Sequence, residues 1–208
     1  MRVRTEAKRE AIIEVASQVF REAGFEGASM AEISARVGGS KRTLYGYFES
    51  KEDLFGAVAQ SAADTLFNPL FESLITSVEA FPKALKQFGQ AIVELGCEEH
   101  TIQIFRTLIG VSGRSEIGIQ FYLSGPAKGL EMLAGYLHNL MDQGVLKPCD
   151  PAVAAQHLSA LLQSETLLPS LLGLLKSPST AFLEQSTERA VQAFLNAYAV
   201  QPPSGQAA

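Results

Sequence analysis

The sequence predicts an all-α fold of about nine helices, and three observations carry that expectation. Apolar residues recur at helical spacing through most of the chain. Ser or Asp capping signals stand in front of several of those segments, and Gly or Pro punctuates most of the gaps between them. Among 208 residues, 47% are hydrophobic and 19% charged, a balance that buries a core and excludes a disordered polymer. Trp is absent, so 12 Phe and 5 Tyr supply the bulky side chains.

From Thr5 to Ala23, Ile12, Ala16, Val19, Phe20 and Ala23 line one helical face, with Glu10, Glu14, Ser17, Arg21 and Glu22 opposite. Gly24 ends this helix, since glycine accepts the left-handed conformation of a helix end. Ser29-Met30-Ala31-Glu32 is a capping box that opens a second helix, stopped after Val37 by Gly38-Gly39. Ser40 caps a third, Lys41 to Phe48, with Leu44 and Phe48 on its inner face. A fourth opens at Ser50-Lys51-Glu52-Asp53 and runs to Phe67, before Pro69. Pro82 starts the next, with Leu85, Phe88, Ile92 and Leu95 inward. Thr101–Val111 reads as helix despite its β-branched residues, because Ile104/Leu108 and Phe105/Ile109 pair at i, i+4. Gly118 to Gln143 reads as one helix broken near Gly125-Pro126. Asp150-Pro151 opens a helix to about Leu175, and the last one starts at Ser179. The expected division is a head of residues 1–50, a body of 51–200 and a flexible tail of 201–208.

Net charge is −5, which by itself speaks against a polyanionic partner. Its distribution does not: residues 1–48 hold eight Lys or Arg against six Glu, and the rest of the chain is acidic. A basic head on an acidic body directs the head toward phosphate. The opening MRVRTEAKRE is too charged for a secretory leader. Gln163, Glu165 and Pro169 interrupt the leucine-rich stretch 158–175, so no membrane span is expected. Two cysteines are too few for a disulfide framework, which fits a reducing cytoplasm.

Three short helices with a glycine turn before the third describe a helix-turn-helix. At about 100° per residue, the third helix turns Arg42, Thr43 and Gly46 outward and sets Tyr45 and Tyr47 on its flanks. That face offers a guanidinium that can fork onto guanine, a hydroxyl and two phenols, with Lys41 beside them. Ser29, Ser40 and Lys51 stand at three helix starts, where free N–H groups attract phosphate.

The run Ile33-x-x-x-Val37-Gly38-Gly39-Ser40-Lys41-Arg42-Thr43-Leu44-Tyr45-Gly46-Tyr47-Phe48-x-Ser50-Lys51-Glu52-x-Leu54 resembles the signature of the TetR/AcrR family of bacterial transcriptional regulators. Ala16, Phe20, Gly24 and Phe25 fit that family's first helix, and Phe121-Tyr122-x-x-Gly125-Pro126 resembles the C-terminal domain of AefR-like members. Gly39 and Gly46 depart from the pattern, replacing a small apolar and a large residue respectively. The resemblance implies a homodimeric, ligand-responsive repressor on a palindromic operator in double-stranded DNA, without cofactor. Its DNA-binding residues would be Ser29, Ser40, Lys41, Arg42, Thr43, Tyr45, Tyr47 and Lys51.

The implied body binds an apolar or aromatic effector, for which Phe88, Phe105, Phe121, Tyr122, Met132 and Tyr136 are the candidate lining. Leu158, Leu161, Leu162, Leu168 and Leu172, with Val191, Phe194 and Tyr198, predict a four-helix dimer interface. Competing readings are weaker. Cys97, Glu98, Glu99 and His100 cluster without a complete ligand set, so no metal site is expected. Glu131 and His138 could form a base and its partner, but no hydrolase elbow, phosphate loop or dinucleotide fingerprint accompanies them, so an enzyme is not expected. A helical adaptor without DNA binding is disfavoured by the intact Lys41-Arg42-Thr43 and Lys51.

Overall fold

A computed structural model describes residues 5–77, 81–113 and 115–200. The expected tail at 201–208 lies outside the described residues, as do Arg2 and Arg4. The helices are α1 (Glu6–Gly27), α2 (Met30–Arg36), α3 (Lys41–Tyr47) and α4 (Lys51–Ala62), then a π-helical turn (Ala63–Phe67) and α5 (Asn68–Thr76). They continue as α6 (Lys83–Cys97), α7 (Glu99–Ser112), α8 (Ile117–Ser124), α9 (Pro126–Asp142), α10 (Pro151–Gln163), α11 (Leu167–Leu171) and α12 (Thr180–Tyr198). A single antiparallel bridge, Leu146 with Ala199, is the extent of β-pairing among the described residues. The fold is all-α, as expected.

Local chemistry explains five of the helix starts. Ser29, Ser40, Ser50 and Ser179 each accept the N–H three residues on, and Asp150 accepts those of Ala152 and Val153. Each such cap satisfies an otherwise orphan donor and contributes about 1 kcal/mol.

At Gly24 (φ 70°, ψ 172°) the helical geometry of α1 breaks, as expected, and one further turn carries Phe25 into the core. Two expected boundaries shift. The segment after Ser50 widens into the π-helical turn and resumes as α5, where Pro69 sits in the first turn and needs no N–H. The segment after Asp150 stops at Gln163, because a continuous helix would drive the Pro169 ring against the Glu165 carbonyl. It restarts as the five-residue α11.

Two compact units emerge. One holds the residues up to Thr65 together with Gln103–Gly125, and the other holds Leu66–Ile102 and the chain from Pro126. This division differs from the expected head boundary at residue 50, because α4 belongs to the core of α1. Leu54, Phe55, Val58 and Ala59 are buried there with Ile12, Val19 and Phe20. Phe20, Phe25 and Phe55 form a ring cluster with centroids 5.1–5.9 Å apart. Ile104, Leu108, Val111 and Ile117 join the same core. Gly56 lets α8 press on α4, for a Cβ there would lie 3.1 Å from Ile117 Cγ2.

The second unit buries Leu85, Leu137, Leu146, Leu158, Leu162 and Phe194 among α6, α9, α10 and α12. Gly129 lets α9 meet α5, since a Cβ would fall 2.6 Å from the Phe71 ring. No described helix is long and apolar enough to cross a membrane.

Candidate nucleic-acid interface

The turn between α2 and α3 is held from both sides. Ser34, 3% exposed, donates its hydroxyl to the Gly39 carbonyl (2.9 Å), and the Gly39 N–H returns a bond to the Ser34 carbonyl (3.1 Å). Gly38 supplies the left-handed residue (φ 70°) that the reversal requires. Lys8 on α1 donates to the Val37 carbonyl (3.3 Å). The periodicity Met30, Ile33, Ser34, Val37 points Ser34 inward, so a polar residue in an apolar stripe was the sequence signal for this clamp, and it was missed.

On α3, Ser40 Oγ accepts the Thr43 N–H (3.0 Å) and lies 2.9 Å from Thr43 Oγ1. Leu44 and Phe48, each 2% exposed, anchor the inner face. The Arg9 guanidinium lies 5.5 Å over the Phe48 ring. Tyr47 is half-buried, and its phenol oxygen accepts the Thr5 N–H (3.0 Å), which ties α3 to the start of α1. Tyr45 is half exposed, and Lys41 and Arg42 project into solvent without an ion-pair or hydrogen-bond partner among the described residues.

Arg36, the other cation of α2 and α3, is committed within the protein. Its guanidinium bonds Glu22 (2.6 Å) and Glu32 (2.7 Å). The Arg36 hydrogen bond holds the Glu22 carboxyl below the usual carboxylate range. Lys41 and Arg42 are therefore the cations that this surface leaves open to an anion.

Lys51 corrects an expectation. Rather than pointing freely toward phosphate, its ammonium donates to the carbonyls of Phe25 (2.7 Å) and Ala28 (3.2 Å) and lies 4.3 Å from the Phe25 ring centroid. It joins the start of α4 to the end of α1. Ser29 serves the cap of α2, accepting from Glu32 N–H (3.2 Å).

The expected interface residues separate into two sets. Leu158, Leu162, Val191 and Phe194, all 4% exposed or less, lie in the core of their own unit and cannot contact a second chain without unfolding it. Leu161 is half-buried. Tyr198 stacks on Phe194 (4.6 Å), with its hydroxyl 2.5 Å from His157 Nδ1. Leu168 and Leu172 are exposed, as is Leu174, which sequence reading passed over.

The expected effector residues also divide. Phe105 and Phe121 meet edge to face (6.1 Å) in the first unit, where Tyr122 is exposed. Phe88 packs on Phe71 (5.0 Å) in the second unit, where Met132 and Tyr136 are half-buried and burial raises the Tyr136 phenol. His138 lies 3.6 Å from Asp142 rather than beside Glu131. Burial pushes the Cys97 thiol up, and no group of three or more metal-type ligands occurs among the described residues.

Residues 83–200, more than half of the chain, match the model of the AefR-like transcriptional repressor C-terminal domain, and residues 12–58 match that of the bacterial regulatory proteins of the tetR family. The chain belongs to the TetR family. TetR-family proteins are DNA-binding transcriptional regulators and not enzymes.

Three similar proteins illustrate its place in the TetR family. A TetR-family regulator from Mesorhizobium loti shares 28% identity and superposes with a TM-score of 0.87, covering 96% of this chain and all of that one. The flavonoid-responsive regulator FrrA shares 30% identity with a TM-score of 0.70, covering 95% of this chain and all of FrrA. The transcriptional activator FasR of Mycolicibacterium smegmatis is 36% identical over 78 residues, 38% of this chain and 36% of FasR. The chain thus spans about a third of the length of that relative.

Proposed function

We propose that this TetR-family regulator is a ligand-responsive homodimeric repressor, acting in the cytoplasm on a palindromic operator. The observation that carries this reading is the outer face of α3. Lys41, Arg42 and Tyr45 stand open there on a helix held by Leu44, Phe48 and the Ser34–Gly39 clamp. Arg42 forks onto guanine O6 and N7 in the major groove, with Tyr45 and the Thr43 hydroxyl beside it. Lys41 meets the phosphate backbone. Ser29, Ser40, Tyr47 and Lys51 hold α2, α3 and α4 in position for those contacts. Each subunit places its α3 in one half-site, with half-site centres about 34–36 Å apart.

The second chain covers the exposed leucines of the α11 region, Leu168, Leu172 and Leu174, together with the outer faces of α10 and α12. An apolar or aromatic effector shifts the population toward a form whose two recognition helices no longer match the operator spacing. The flavonoid response of FrrA supports an aromatic chemistry for that effector.

In vitro selection with the full chain from a random duplex library tests the reading. Enrichment of an inverted repeat with half-sites one helical turn apart is the expected result. Retention of duplexes without any shared sequence would refute it.

A further inference from the structure

Helical glycines usually have a reason inside the protein, and Gly46 has none. Gly56, Gly89 and Gly129 are required by packing, since a Cβ at each would fall 2.6–3.1 Å from a neighbouring side chain. Gly24, Gly38, Gly144 and Gly173 are required by a positive φ. Gly46 lies within α3, outside that positive-φ set, and a Cβ added to it meets nothing within 4 Å. Glycine nevertheless weakens a helix relative to alanine, so the chain gives up stability at this position. Gly96, Gly110 and Gly135 are equally open, but they lie on α6, α7 and α9 rather than on the recognition surface.

The position of Gly46 supplies the missing reason. Leu44 defines the buried direction of α3, and at about 100° per residue Gly46 points about 160° away from it. Arg42, one turn earlier, lies within about 40° of the same direction. Gly46 is thus at the outer pole of the helix, flanked by Arg42 and Thr43, with the half-exposed Tyr45 on the far side of Arg42. A helix with its side chains is about 10–12 Å across, close to the width of the major groove, so a side chain at the pole limits how deep it can sit.

We infer that Gly46 is a specificity-determining residue: its missing side chain lets the α3 backbone approach the base edges, so that Arg42 and Tyr45 reach bases that a larger residue would hold out of range. The inference rests on the DNA-binding reading above and adds which position sets the depth of insertion. It requires that bulk at position 46 penalise the specific complex, in which the helix is fully seated, and spare the looser non-specific one, which is held by phosphates.

The test uses the full-length chain, the duplex enriched by the wild type and a scrambled duplex of the same length. Gly46→Ala should raise Tm by about 2–4 °C through helix propensity. It should also weaken binding to the selected duplex at least tenfold while changing affinity for the scrambled duplex by less than twofold. Gly46→Leu should weaken the selected duplex further. Unchanged affinity of Gly46→Ala for the selected duplex would overturn the assignment, and so would an equal loss on both duplexes. A wild-type chain that enriches no sequence would instead overturn the DNA-binding reading, and the assignment with it.

Discussion

Replacing Lys51 by Met separates a residue that holds the fold from one that holds DNA. The Met side chain keeps the aliphatic stem and removes the ammonium, so the loss is confined to the polar contacts. Those are the hydrogen bonds to the Phe25 and Ala28 carbonyls, 2.7 and 3.2 Å long, and the approach to the Phe25 ring at 4.3 Å. Hydrogen bonding to a charged group contributes about 1.5–3 kcal/mol, and a partly exposed cation–π contact about 0.5–1 kcal/mol. One ammonium serves all three partners, so the terms do not add fully, and a total of about 2–3 kcal/mol is expected. For a chain of this length each kcal/mol shifts Tm by about 2–4 °C, which places the fall at about 4–12 °C. Urea unfolding followed by circular dichroism measures the stability. Titrating the selected duplex at several salt concentrations measures the phosphate contacts, each worth about 0.9 in the slope of log affinity against log salt. Lys51→Met should lower the unfolding midpoint and leave the salt slope unchanged, whereas Lys41→Ala should reduce the slope by about one per subunit. An unchanged midpoint with a slope reduced by about one would refute the reasoning and make Lys51 a phosphate clamp.

Arg42→Ala should cost about 1–3 kcal/mol per half-site and relax the preference at one base pair, measured against single-base variants of the selected duplex. Leu168→Asp with Leu172→Asp should yield a folded monomer by sedimentation, because both side chains are exposed in the single chain. Phe194→Glu should unfold the protein instead, since it buries an unpaired charge at a site 0% exposed. Arg36 and Arg189 hold Glu22 and Glu165 below the usual carboxylate range through side-chain hydrogen bonds. A lowered folded pKa stabilises the fold above the unfolded value, and that stability is lost as pH falls through the folded one. Arg36→Ala with Arg189→Ala should therefore flatten the acid limb of the Tm–pH curve and leave its neutral limb in shape. An effector that raises Tm should weaken operator binding by the factor with which the operator weakens effector binding, as calorimetry of both ligands can verify.

Much of this protein was legible in its sequence because the signals are local. A serine accepts the N–H three residues on whatever the rest of the chain does, so Ser29, Ser40, Ser50 and Ser179 marked their helices correctly. The outward direction of Arg42 and the inward one of Leu44 follow from helical period alone. The same local rule carried a warning for α10 that went unused: Pro169 bars one continuous helix through the leucine run, and α10 stops at Gln163 before α11 begins.

Other properties depended on partners far along the chain. Apolar attraction has no direction, so one leucine-rich pattern served equally for core and for interface. Only packing among α6, α10 and α12 decided that Leu158 and Phe194 are interior while Leu168 and Leu172 stay exposed. The Lys51 ammonium had phosphate and carbonyl oxygens as candidate acceptors. The fold decided by bringing carbonyls 26 and 23 residues away within reach. Likewise, Gln103–Gly125 reads in sequence as part of the body, yet its Ile104, Leu108, Val111 and Ile117 complete the core of the recognition unit. Helix ends and helix faces are set by a few neighbouring residues, whereas the choice among equivalent partners exists only once distant segments have met.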